Sequence, residues 1–154
     1  MKGNKPSKKK DLYNVQGFLK HYLENYKRWV ELPIQYDEMM RYSASYPLLD
    51  HEGNDTLWQS VVYQESDRDE IFDALCEVYA LLKTDGDRGV IEHLNVDRID
   101  YCIFGNTNPF RIRIINKLND NYDHFYIKKI DASRIYGLEL EDLLSPNRVT
   151  YLSG

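Results

Sequence analysis

Three stretches in the second half of the chain change hydrophobic period, and they restrict the fold more than any other feature. "RIDYCIF" (98–104), "FRIRII" (110–115) and "HFYIKKI" (124–130) alternate or are rich in β-formers, and the turn-forming "GNTNP" and "LNDNYD" separate them. Alternation at period two places successive side chains on opposite faces of a strand, so the simplest assembly is an antiparallel three-stranded meander.

The first half reads differently. Leu12, Val15, Leu19, Tyr22, Tyr26 and Trp29 step by three and four before Pro33, which predicts an amphipathic helix over 11–32. Residues 34–46 read as a shorter helix, "TLWQSVVYQ" (56–64) as helix or strand, and "PLLDHEGND" (47–55) as a polar turn. Ser66 and Asp67 are expected to cap a helix that buries Ile71, Leu75, Val78 and Leu82. Towards the C-terminus, "SRIYGLELEDLLS" predicts a helix and "RVTYL" a short strand.

The expected fold class is therefore α+β: a helical N-terminal half packed with a C-terminal antiparallel β-meander plus one helix. Residues 1–10 are expected to form a disordered basic tail, and 11–154 a single domain, helical over 11–83 and sheet-rich over 96–152.

Charge narrows the partners. The net charge is −5, and the five lysines of the first ten residues leave 15 basic and 25 acidic side chains, or −10, for the rest. A body of that sign repels phosphate at long range, so nucleic-acid binding requires a local basic patch. Thirteen tyrosines supply rings with polar tips, suited to half-buried positions and interfaces. Cys76 and Cys102 lie in apolar runs without C-x-x-C spacing, which predicts buried, reduced thiols in a cytoplasmic protein. No apolar run reaches the length of a membrane span, so no membrane association is expected.

Several motifs invite chemistry. "KTDGDR" (83–88) resembles the lysine motif of ATP-dependent polynucleotide ligases, in which the lysine attacks a nucleotide α-phosphate. Too little chain follows Lys83 for that adenylation domain, and a last-turn lysine before an Asp-Gly turn explains the same letters structurally. Asp85 and Asp87 do not continue into a calcium loop, because the alternating oxygen ligands and the closing glutamate are out of register. The four histidines form no H-x-x-x-H pair, and "DHEGND" (50–55) lacks a second ligand cluster. No catalytic residue, metal or cofactor is expected.

The order strand, "FGNTNPFRIRI", turn, "FYIKKID", helix, strand loosely resembles the N-lobe of protein-kinase-like enzymes. The resemblance implies nucleotide binding, with Gly105 in the phosphate turn, Lys128 as the phosphate-binding lysine, and Glu141 or Glu139 as its partner. It covers residues 98–152 only, with one glycine where the family has several, and without the H-R-D or D-F-G motif.

The candidate surface follows from alternation. Phe110, Ile112 and Ile114 share one face, and Arg111, Arg113, Ile115 and Lys117 the other. With "HFYIKKI" paired alongside, His124, Tyr126 and Lys128 face outward. The binding set is thus Arg111, Arg113, Lys117, His124, Tyr126 and Lys128. The expected function is that of a small non-catalytic regulatory module acting through protein–protein interaction. A kinase-like nucleotide-binding half-lobe and a nucleic-acid binder using the basic sheet face are the alternatives. The bland explanation of the same face is a solvated surface whose arginines pair with nearby carboxylates.

Overall fold

A computed structural model gives the architecture and describes residues 17–25, 29–84, 88–105 and 107–129. Five strands form one antiparallel sheet: β1 (Ala44–Leu49), β2 (Asp55–Val62), β3 (Leu94–Cys102), β4 (Phe110–Asn116) and β5 (Tyr122–Ile127). Their spatial order equals their order in the chain, β1-β2-β3-β4-β5. Helices α1 (Gly17–Asn25) and α2 (Tyr36–Met39) precede the sheet, while α3 (Glu65–Thr84) and α4 (Arg88–Ile91) lie between β2 and β3.

The expected helical N-terminal half is overturned. Residues 44–49 and 55–62 are strands, the meander has five strands instead of three, and α3 is the one long helix among the described residues. The physical reason lies in what β1 and β2 bury. β1 is an edge strand exposed at nearly every position, and β2 is exposed through its first three residues and buries only Val61. Neither carries the alternation that a half-buried strand imposes, so their sequence lacks a strand signature. Of the long first helix, the structure describes Gly17–Asn25, and Leu19 and Leu23 form a small cluster with Tyr22 and Trp29, apart from the main core. The tail (1–10), the last predicted helix and the "RVTYL" strand lie outside the described residues.

α3 starts at Glu65, so Ser66 and Asp67 fall inside its first turn, with Gln64 accepting from the N–H groups of Asp67 and Arg68. Glu65 and Asp67 suit the positive end of the helix dipole. Ile71, Leu75 and Val78 are buried and Leu82 is half-buried. They cover one face of the sheet, where Val61, Val96, Ile99, Phe110, Ile112, Ile114 and Phe125 meet them in the core.

β3 contains the decisive irregularity. Val96 and Ile99 both belong to the core although three positions separate them, which strict alternation forbids. A register shift between Val96 and Arg98 inserts one extra residue, Asp97, and restores the phase. From there Ile99 opposes Ile112 and Tyr101 opposes Phe110 on the covered face, while Asp100 opposes Arg111 on the other.

Side-chain hydrogen bonds fasten the pieces before the sheet. The Tyr63 hydroxyl donates to the Met39 carbonyl (2.6 Å) and the Tyr36 hydroxyl to the Asn108 carbonyl (2.7 Å). Burial pushes both phenols well above the ordinary tyrosine range, so they stay protonated donors.

Candidate functional site

The sheet face turned away from α3 carries the charged and aromatic residues. Cα pairing defines one row across all five strands: Tyr46, Ser60, Asp100, Arg111, Tyr126. At about 4.8 Å per strand spacing, the four intervals span roughly 19 Å. Asp100, in the middle, is fully buried, whereas the two outer tyrosines are about half exposed.

A buried carboxylate on this face requires compensation, and two guanidinium groups supply it. Arg111 donates to Asp100 Oδ2 from Nε (3.0 Å) and Nη2 (2.8 Å), and Arg98 Nε donates to the same oxygen at 3.2 Å. Arg98 Nε also lies 2.9 Å from Oδ1, an ionic contact that lacks hydrogen-bond alignment and leaves Oδ1 without a hydrogen bond. The bulge residue Asp97 serves the next cation: its Oδ2 is 3.1 Å from Arg113 Nε. Without Asp97 and Asp100, Arg98 and Arg113 would stand directly opposite each other as like charges, a destabilising cross-strand pair.

Aromatic rings hold the other sides of these arginines. Arg111 Cζ sits 4.2 Å from the Trp58 ring centroid and Arg113 Cζ 4.0 Å from that of Tyr122. Trp58 in turn packs against Tyr126 at 6.4 Å, and Tyr122 against His124 at 5.7 Å. His124 is shifted down from the ordinary histidine value by burial and then by Arg111, Arg113 and Arg98, so its imidazole is held neutral near neutral pH.

Of the residues expected at the site, Arg111, Arg113, His124 and Tyr126 come together on this face. Lys117 does not join them. It lies one residue past β4, and its charge acts on Cys76 of α3, opposing the burial that pushes that thiol up to about 11. Lys128 is exposed just past the end of β5, and Glu139 and Glu141 lie outside the described residues. Lys83 occupies the last turn of α3, with its ammonium 3.9 Å from Asp123.

Sequence reasoning missed Trp58, Asp97, Arg98, Asp100 and Tyr122. "DRID" displayed the carboxylates, but only the bulge and the β3–β4 register show that they face Arg111 and Arg113. Cys102 is half-buried, where full burial was expected, and both described cysteines are free thiols.

A concavity bordered by Pro33, Ile34, Glu38, Arg41, Asp67 and Glu70 has room for little more than a water. Among the described residues, no three His, Cys, Asp or Glu side chains converge as a metal site, and no helix is long and apolar enough to cross a membrane. Compared with family models, curated proteins and solved structures, the chain matches none.

Proposed function

We propose that the chain is a small non-catalytic binding module that engages another protein through the open face of its sheet. One observation carries this reading: the row from Tyr46 to Tyr126 places a fixed Asp100–Arg111 ion pair between two exposed tyrosines. Arginine, tyrosine and tryptophan are the residue types that dominate protein interfaces. Here the arginines are already held by carboxylates and rings, so a partner would immobilise few rotamers on docking.

Local charge favours a protein over a nucleic acid. Arg98, Arg111 and Arg113 against Asp97 and Asp100 leave only one net positive charge, and each of the five is in an ion pair. Phosphate binding needs cations that can release counterions, and paired arginines offer little of that. A cytoplasmic setting belongs to the same proposal, supported by two unpaired thiols.

Affinity capture with wild type and with Tyr122→Ala/Tyr126→Ala, each with and without nuclease, tests the proposal. A protein retained by wild type, insensitive to nuclease and lost with the double variant supports it. Retention by both chains, or loss on nuclease treatment, contradicts it.

A second reading, nucleotide binding, has one observation behind it. Gly105 in the β3–β4 turn and Lys128 after β5 lie at the same end of the sheet, because β3 ends and β4 begins where β5 finishes. Mg-ATP binding that disappears in Lys128→Ala would favour it; the absence of binding to wild type would remove it.

A further inference from the structure

The end of the sheet where β2 begins and β3 finishes carries apolar side chains that the core does not use. Leu57 is 42% exposed, Ile103 44% and Phe104 69%. Backbone pairing gathers them: Trp58 opposes Cys102, and the Ile103 N–H donates to the Leu57 carbonyl at 3.1 Å.

Leu57 is also strained. Its φ is +67°, in the left-handed region that L side chains adopt at a cost. The Asp55 carboxylate holds it there, accepting from the Leu57 N–H at 2.8 Å, while Ile103 fixes the carbonyl. Asparagine or glycine would meet this backbone at less cost and expose no apolar surface. Leucine thus carries two penalties, strain and exposure, with no burial in the core in return.

The neighbouring turn is built as well. The Cys102 thiol donates to the Phe104 carbonyl (3.4 Å), and Asn108 Nδ2 donates to the Cys102 carbonyl (3.2 Å). Strain retained beside a fixed, exposed apolar cluster is what an interaction site shows.

The surrounding charge decides the kind of partner. Asp50, Glu52 and Asp55 are exposed in or beside the β1–β2 turn, and no Lys or Arg occurs from Ala44 to Val62. The exposed Lys128 past β5 shares this end but lies two strands beyond β3, so carboxylates dominate the β1–β2 side and disfavour an anionic lipid surface there. An apolar pocket with a cationic rim complements it in both shape and sign. We propose that Leu57, Ile103 and Phe104 form a docking tip that enters an apolar pocket of a partner protein, whose rim lysines and arginines meet Asp50, Glu52 and Asp55. This tip is independent of the open-face reading and rests on different residues.

Two readouts test it. Leu57→Gly should melt a few degrees above wild type, because glycine adopts positive φ without strain. A photoreactive phenylalanine analogue at position 104, irradiated in cells, should give a protein adduct whose cross-linked peptide is flanked by lysine or arginine. That adduct should be lost in Leu57→Gly and in the charge reversal Glu52→Lys, which leaves the Asp55 and Asp50 carboxylates that hold Leu57 and the turn in place. A lower melting temperature for Leu57→Gly would make Leu57 a structural residue and overturn the proposal. So would the absence of an adduct, an adduct with lipid or with a second copy of this chain, or one that survives the charge reversal.

Discussion

The two faces of the sheet are made of the same five strands and do opposite work. Under α3, Phe110, Ile112, Ile114 and Phe125 are buried against apolar neighbours, and no charge is needed to hold them. On the open face, burial extends to a single carboxylate, Asp100, and order comes from arginines clasped between acids and rings. A side chain on the covered face contributes stability through the apolar area it removes from water. One on the open face contributes through pairing, which fixes geometry more than it adds stability. A surface organised in this way can be presented to a partner without first being ordered.

The largest expected effect falls on the covered face. Phe110 is fully buried and packs edge-on to Tyr36 at 5.3 Å and against Tyr101 at 4.9 Å. Phe110→Ala should cost about 3 to 5 kcal/mol in denaturant unfolding. A loss under about 1 kcal/mol would mean that this face is not the core.

Removing the central carboxylate should come next. Asp100→Ala leaves Arg98 and Arg111 without their shared acceptor. The arginines keep some solvent contact, so the cost should be about 2 to 3 kcal/mol, below that of breaking a fully buried pair. Arg111→Glu should also destabilise, since it sets a second carboxylate against Asp100. Charge reversal at Arg111 therefore confounds binding with folding, and the exposed tyrosines are the cleaner probes.

A smaller, pH-dependent effect belongs to His124. Its pKa is lowered in the fold, so on acidification the unfolded chain takes up a proton that the folded chain resists. This contribution is complete above about pH 6.5 and is lost as the pH falls. Melting temperatures of wild type and His124→Gln between about pH 7 and about pH 5 should diverge, with the variant less sensitive to acid. Parallel curves would show that burial and the neighbouring arginines do not lower the imidazole's pKa.

The smallest effect should be at the rim. Tyr122 and Tyr126 are more than half exposed, and replacing either with alanine should change stability by about 1 kcal/mol or less, the larger share at Tyr122, which stacks on Arg113. A substantially larger loss would make these rings part of the scaffold and blur the distinction between the faces.

How much of this the sequence discloses depends on how differently the two sides of each strand are used. β4 alternates buried and half-buried positions, so "FRIRII" names its faces directly. β1 is exposed on both sides and contains Pro47, and β2 is interrupted by the left-handed Leu57, so neither announces itself as a strand. For α3 the buried stripe and acidic first turn are plain in the letters. The site was half legible: alternation puts Arg111 and Arg113 on one face, but their acids come from β3, whose phase depends on a one-residue bulge. Trp58 reaches Arg111 across an intervening strand, a proximity that no local pattern encodes.

The central claim is that the open face, not the covered side, receives a protein. Photoreactive phenylalanine analogues at Tyr126 on the open face and at Asp69 on α3, whose side chain is 83% exposed, test this most directly. Discrete, nuclease-insensitive protein adducts from position 126, and none from position 69, are the predicted result. Equal adducts from both positions, or none from position 126, would contradict the account.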